Sequence, residues 1–517
     1  MSRPNEDIQQ ARQHAIGDLP RRSAARHPGK TAIIDGDTSL TFAEFEACVD
    51  RTANAIAAAG IGQGERVAIL SHNCWQFAVL AFATARRGVV LVPVNFMLGA
   101  TEIAYILDDC GAVAFVVEDA LADTADAAIA ESSRTVRLRL SIGDVQDWTD
   151  YDGPAAEPAH VADDDPIRLM YTSGTESRPK GAIHSSRSLM WQYVSCAIDG
   201  GMSGTDIEVH ALPLYHCAQL DCFLSVDVYL GATSVIVPAP TPAAILGAIA
   251  THRVTKLFCP PTVWISLLRS PDFDQTDLTS LVKGYYGASP MPVEVLKELT
   301  TRLPGIRLWN FYGQTELAPL ATILQPEEQE SHAGSAGRPA LNVDTRVVDE
   351  FDEPVPAGTV GEIVHRSPHA TLGYFGKPDI TARAFANGWF HSGDLGVFDE
   401  DGYLTVVDRK KDMIKTGGEN VASREVEEAL YQHEAVAEVA VFGVAHPHWI
   451  EAVTAVVVPK DGASLSGDEV TAFAQTVLAG YKRPKFVVIT DALPKNPSGK
   501  ILKRELRDRY RDIAGQQ

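Results

Sequence analysis

The first half of the chain alternates short apolar runs with amphipathic helical patterns, and that alternation leaves few folds open to it. "TFAEFEACVDRTANAIAAAG" opens with Thr41 and Glu44 at capping-box spacing, places apolar residues at Phe42, Phe45 and Val49, and ends at Gly60. "RVAIL", "VVLVPVN" and "AVAFVV" read as buried strands, separated by helices beginning near Asn73 and Thr101. "GATSVIVPA" and "KLFCPP" continue the rhythm to Pro261. Strand and helix in alternation predict a layered α/β fold with mostly parallel sheet.

From about Val343 the texture changes. "VDTRVVDEFDEPVPAGTVGEIVHRS" holds two β-like runs around a turn rich in Pro, Gly and Asp, which predicts a small antiparallel, barrel-like portion. After "VVDRKKDMIK" a compact strand–helix unit follows, with a second capping box at Ser466 and Glu469. A chain of 517 residues exceeds one ordinary core. The division expected is a large unit over 1–407 and a small one over 408–517, with the boundary at Asp408-Arg409.

Composition narrows the partners. Net charge is −22, from 67 acidic against 45 basic residues, which disfavours nucleic acid or an anionic membrane as the main partner. "MSRPNEDIQQARQ" lacks the apolar core of a signal peptide, and the apolar stretch Ala81 to Leu98 is interrupted by Arg86 and Arg87. Seven scattered cysteines fit reduced thiols better than a disulfide framework or a zinc site. The expectation is a cytoplasmic protein without an integral membrane segment, and a homodimer is compatible with it.

"YTSGTESRPKG", from Tyr171 to Gly181, packs hydroxyls, glycines and cations into eleven residues. It is not a Walker A loop, because Pro179 stands at the second glycine position and Gly181 at the hydroxyl position. It still suits polyphosphate. Backbone N–H groups from Gly174 onward, the hydroxyls of Thr172, Ser173 and Thr175, and the Lys180 cation can converge on one anion. A solvated turn fits the same composition.

The loop heads a series of motifs. "YTSGTESRPKGAIHSSRSL", "LPLYHCAQ", "YYGASPMP", "NFYGQTE", "GWFHSGDLG", "VVDRKKDMIKTGGENV" and "LPKNPSGKILKREL" follow in order from Tyr171 to Leu506. Together they resemble the adenylate-forming superfamily of acyl-CoA synthetases, adenylation domains and luciferases. The resemblance implies ATP, Mg²⁺ and coenzyme A as reactants and cofactor, and an acyl adenylate as intermediate. In that reaction a carboxylate attacks the α-phosphate and expels pyrophosphate, a step whose barrier is largely charge accumulation.

Roles follow residue by residue from the resemblance. Glu316 would hold Mg²⁺ and Thr315 would contact the α-phosphate. Tyr312 and Gly313, with Gly287, Ala288 and Ser289 at a strand end, would frame the adenine. Asp394 would accept from the ribose hydroxyls, with Arg409 as a second ribose contact. Lys500 would enter the site to neutralise the carboxylate and α-phosphate. Rotation about Asp408 would then exchange Lys500 for the Gly417-Gly418 face, where two glycines leave passage for a pantetheine arm gated by His216. In isolation, Glu316 and Asp394 would read as caps or surface charges, Tyr312 as a core aromatic and His216 as a structural histidine.

Glu176 and Ser177 depart from the commoner T-T-G of the family. A carboxylate near the β- and γ-phosphates repels them unless it turns to solvent or helps to hold Mg²⁺, and the solvent-facing reading is preferred. An enzyme that mainly thioesterifies a ready-made acyl adenylate is the alternative. No basic residue occurs in "LPLYHCAQLDCFLSVDVYL" or "YYGASPMP", so a dicarboxylic acid is disfavoured. Asp221 and Asp227 are available to an amino group, but an apolar monocarboxylic acid, fatty or polycyclic, is the expectation. A carrier-protein-loading enzyme and a non-catalytic acyl-adenylate binder remain as alternatives.

Overall fold

The computed structural model describes residue 8 and residues 11–172, 178–289, 291–410, 412–417, 419–495 and 501–515. Two mostly parallel sheets share one apolar core. The six-stranded sheet runs Leu138–Ser141, Ala114–Val117, Arg66–Leu70, Val90–Val94, Pro166–Thr172, Lys180–Ser185, and its last two strands form an antiparallel hairpin. The nine-stranded sheet is parallel from Arg307–Tyr312 through Lys283–Gly287, Lys256–Phe258, Ile207–His210 and Thr233–Ile236 to Thr31–Asp35. Its edges are antiparallel.

Strand Arg66–Leu70 shows why such segments read as continuous apolar runs. Val67 and Ile69 face the core shared with the second sheet, while Ala68 and Leu70 face the helix Ala100–Cys110 through Ile103, Ile106 and Leu107. Helix Trp75–Arg86 lies in the shared core, with every residue from Trp75 to Ala85 buried. A helix that is apolar nearly all round and this short is stable only when packed inside a core. Its polar contacts with other elements sit at its two ends: the Trp75 N–H donates to Asp35 Oδ2 at 2.9 Å and Gln76 Nε2 to Gln146 Oε1 at 3.3 Å, while the final Arg86 reaches Glu46 at 2.7 Å and the Gly17 carbonyl at 2.9 Å.

Both capping boxes form. Glu44 N–H donates to Thr41 Oγ1 at 3.2 Å while Thr41 N–H donates to Glu44 Oε2 at 2.8 Å, and Ser466 and Glu469 repeat the arrangement. Each such cap stabilises its helix by about 1 kcal/mol.

The antiparallel portion is a four-stranded meander, Asp344–Val348, Gly361–Arg366, Phe390–Phe398 and Leu404–Arg409. It packs through Val347, Ile363 and Leu404 against Tyr312. Beyond it a five-stranded sheet is built on the hairpin Val436–His446/Ile450–Pro459. Helices Ser423–Tyr431 and Gly467–Val477 cover one face of that sheet, and Leu506 of Lys503–Arg509 packs on the other. Asp408 stands where meander and small unit meet: its Oδ2 accepts from Ser423 N–H at 2.6 Å. Among the described residues, no helix is long and apolar enough to cross a membrane.

Candidate active site

Ligands of parallel α/β sheets gather at the carboxyl ends of the strands, where backbone and loops leave a crevice. In this chain the ends of Arg307–Tyr312 and Pro166–Thr172, with the start of Phe390–Phe398, open on a cavity of about 680 Å³. Thr172, Lys180, His216, Ala288, Tyr312, Gly313, Thr315, Glu316 and Arg409 all line it, and so does Gly393 beside Asp394. Gly287 stands behind the wall, where a Cβ would lie 2.3 Å from the Phe311 carbonyl oxygen. Gly313 is equally constrained, since a Cβ there would meet the Pro319 carbonyl at 1.8 Å. Ser289 follows Ala288 outside the lining residues. Ser173, Gly174, Thr175, Glu176, Gly418 and Lys500 lie outside the described residues. Gly417 adopts φ +60° and donates its N–H to the Trp449 carbonyl at 2.9 Å, away from the cavity lining.

One end of the cavity is polar and tightly organised. Tyr312 Oη and Gln314 Nε2 both donate to Asp394 Oδ2 at 2.8 Å. Asp394 N–H donates to Ser392 Oγ at 3.0 Å, which fixes the start of the carboxylate's own backbone. Removal from water, and then the Asp394 charge, push the Tyr312 hydroxyl well above its ordinary pKa, so it stays a donor. Arg409 Nε lies 3.3 Å from Asp394 Oδ1, yet that oxygen is buried and accepts no hydrogen bond among the described residues. A buried acceptor left open is costly unless a ligand supplies donors, and a ribose hydroxyl pair is such a donor set.

Next to it is a carboxylate suited to a cation. Glu316, buried in the turn Thr315–Leu317, accepts from Tyr374 Oη at 2.7 Å. Burial and the Glu316 charge push the Tyr374 hydroxyl far above its usual pKa. Lys180 Nζ stands 5.6 Å over the Tyr374 ring. Thr315 Oγ1 contacts Cys217 Sγ at 3.2 Å, and burial pushes that thiol up to about 12, so it is protonated and no nucleophile at neutral pH. An oxygen-rich group of this kind fits Mg²⁺ shared with phosphates, since that ion takes one or two carboxylates and substrate oxygens.

The other end is apolar. Phe223 stacks on Phe258 at 4.4 Å and on Phe311 at 5.8 Å, and all three line the cavity with Cys222 and Leu320. Phe223 and Cys222 belong to the π-helical turn Ala218–Leu224 that follows His216. Such turns recur at functional sites because they displace side chains from the regular helical face.

The acidic residues of this segment are spent inside the protein. Asp221 is fully buried against Arg168 and accepts from Tyr193 Oη at 2.9 Å. Asp227 is buried with Lys256 and His210, and Glu208 lies 2.9 Å from Lys256 Nζ. Burial works against the Lys256 charge, but Asp227 and Glu208 hold it charged. Its ammonium fills the space between those carboxylates, so the group is an ion cluster and not a metal site. Neither aspartate serves an amino group in the cavity.

Two residues with polar contacts in the site escaped the sequence reading: Tyr374 and Gln314. Gln314 was inside a quoted motif and could have been found there. Tyr374 meets Glu316 across 58 positions of sequence, and no local pattern signals that meeting.

Comparison with known proteins gives the family. The family model for AMP-binding enzymes matches residues 20–375, and that for the AMP-binding enzyme C-terminal domain matches residues 425–500. The chain is 40% identical to a feruloyl-CoA synthase of Amycolatopsis sp over 499 residues, covering 96% of this chain and 100% of the relative. It is 34% identical to the indoleacetate–CoA ligase of Aromatoleum aromaticum, covering 94% and 96% of the two chains. The crystal structure of the anthranilate CoA ligase AuaEII in complex with anthranoyl-AMP superposes with TM-score 0.91 at 26% identity, over 97% of this chain and 98% of that one. With family models over both parts of the chain and relatives over nearly all of it, the protein belongs to the adenylate-forming superfamily and is an acid–thiol ligase of the AMP-forming acyl-CoA synthetase type.

Proposed function

We propose that this ligase activates a compact, apolar monocarboxylic acid, with an aryl acid preferred over a long aliphatic one. The observation that carries the reading is the uncharged aromatic end of the cavity, where Phe223, Phe258 and Phe311 stack and every nearby aspartate is already paired. A cavity of about 680 Å³ must seat nucleotide and acid together, which favours a short planar acyl group. The feruloyl, indoleacetate and anthranilate ligases are named for acids of that shape. The broader expectation of fatty or polycyclic acids is narrowed accordingly.

In the first half-reaction a carboxylate oxygen of the acid bonds to the α-phosphorus, and the bond to the bridging oxygen of pyrophosphate breaks. Thr315 and Lys500 would stabilise the charge on the α-phosphate, and Asp394 with Tyr312, Gln314 and Arg409 would hold the ribose. Glu316 would hold Mg²⁺, which neutralises phosphate charge when bound. In the second, the coenzyme A sulfur bonds to the acyl carbon, its proton leaves, and AMP departs. The two steps would share the cavity by rotation of residues 408–517 about Asp408, bringing Gly417 and Gly418 to the site in place of Lys500.

ATP–pyrophosphate exchange across arylpropenoic, arylacetic, long-chain and dicarboxylic acids, followed by coenzyme A addition, tests the proposal. Exchange should be fastest with the aryl monocarboxylic acids and thioester should form on free coenzyme A. A preference for long-chain or dicarboxylic acids, or transfer only to a phosphopantetheinyl protein, overturns it.

A further inference from the structure

Among the described residues, three cations line the cavity: Lys180, Arg383 and Arg409. Arg409 lies against Asp394, and Lys180 stands over the Tyr374 ring. Other basic residues nearby are engaged elsewhere. Arg178 stacks on Tyr105 at 5.1 Å, Lys377 pairs with Asp109 at 2.9 Å, and Lys410 pairs with Glu362 at 3.0 Å. Arg383 differs. It is exposed, and it makes no hydrogen bond, ion pair or ring contact with any described residue.

Its position gives that cation a direction. Arg383 sits on the helix Pro378–Ala384, whose Ile380 and Ala384 also line the cavity. Residues three and four apart share a helical face, so this face is turned to the cavity. The helix is fixed on both sides. Tyr374 N–H donates to Thr381 Oγ1 at 2.9 Å, and Ala384 packs with Phe385 and Phe390 against Leu317. Tyr374 holds Glu316, and Leu317 follows it, so the helix is attached on both sides to the turn that carries Glu316. An arginine without a partner among the described residues, placed there, has a planar fork to offer a phosphate.

We propose that Arg383 is an additional phosphate-contacting residue, binding the β- and γ-phosphates of ATP and the pyrophosphate they become. The identity of the anion rests on the adenylation reaction proposed above. The test does not depend on turnover. Calorimetric titration of the full chain and of Arg383→Ala with Mg-ATP, pyrophosphate and AMP separates the phosphates, since AMP lacks the β and γ groups.

Arg383→Ala should weaken Mg-ATP and pyrophosphate about tenfold while AMP affinity stays within about twofold, and Arg383→Lys should recover about a third or more of the parent's ATP affinity. Pyrophosphate exchange should fall in step, and coenzyme A transfer from supplied acyl adenylate should not respond. Equal weakening of ATP and AMP, or loss of transfer from the adenylate, would make Arg383 a structural residue and overturn the assignment. Unchanged ATP and pyrophosphate binding would overturn it as well. If the binding contrast appears but the parent exchanges with no acid, Arg383 keeps its assignment and the adenylation reading is what fails.

Discussion

The two ends of the cavity are built by opposite means. At the proposed nucleotide end, Asp394, Tyr312, Gln314 and Ser392 are locked by hydrogen bonds of 2.8–3.0 Å, and one buried carboxylate oxygen accepts no hydrogen bond among the described residues. At the proposed acyl end, Phe223, Phe258 and Phe311 are held by ring contacts and apolar packing, and the ionised groups behind them are neutralised by partners of opposite charge. Directional bonds tolerate little change in residue or position. Packed rings tolerate exchange of shape and volume. A ligase that must always bind the same nucleotide but accept its own acid needs one rigid recipe and one adjustable one.

The largest expected effect isolates the nucleotide end. Lys500→Ala should lower the adenylation rate by about 10²–10³, because a single charge aimed at the reacting phosphate contributes roughly 3–4 kcal/mol. Transfer from supplied acyl adenylate should be retained, so rapid-quench assays of the two half-reactions decide. Equal loss in both would assign Lys500 to the fold instead.

The acyl end should respond differently. Phe258→Ala removes the 4.4 Å stack on Phe223 and should lower kcat/KM for the best aryl acid about tenfold, leaving KM for ATP within about twofold. Separate saturation curves for acid and ATP give both numbers. A matching rise in KM for ATP would mean that the two ends are not independent.

Each end also rests on a buried neutral histidine, and this gives the comparison a pH axis. The His365 ring lies 6.2 Å from the Tyr312 ring, while His369 Nδ1 donates to the Leu320 carbonyl at 3.1 Å and its Nε2 accepts from Ser195 Oγ at 3.0 Å, beneath the acyl end. Burial lowers their pKa values to about 3 and about 4. The unfolded chain therefore takes up protons below about 6.5 that the folded chain refuses. Stability from these groups is complete above that pH and falls as pH drops, by up to about 1.4 kcal/mol per unit for each. Urea midpoints between pH 7 and 5 should fall, and His369→Gln should flatten the slope. An unchanged slope would show that His369 titrates normally.

The smallest effect concerns the phosphate loop. Glu176→Thr with Ser177→Gly should leave pyrophosphate exchange within about threefold of the parent if Glu176 faces solvent. A rise of about tenfold would mean that its charge opposes the phosphates by about 1.4 kcal/mol, and transfer from acyl adenylate should be indifferent in either case.

Much of this was readable in order along the chain. The capping boxes at Thr41 and Ser466, the parallel strands and the antiparallel change after Val343 are local patterns, set by periodicities of about 3.6 and 2 residues. The nucleotide end was readable because its residues sit in short motifs at strand ends, where backbone geometry and side-chain chemistry are fixed together.

The sequence by itself determined the layered α/β architecture, the superfamily and the positions proposed to handle the nucleotide. Only the tertiary structure decided that Asp221 and Asp227 are paired with Arg168 and Lys256, which removes both as partners for an amino group. Only the tertiary structure brought Tyr374 to Glu316 and left Arg383 unpaired among the described residues beside them. These pairings join segments 29 to 58 residues apart, so neither hydrophobic period nor turn chemistry records them. They are set by which strands and loops the folded core places side by side, and that is a property of the packed chain, not of any short stretch of it.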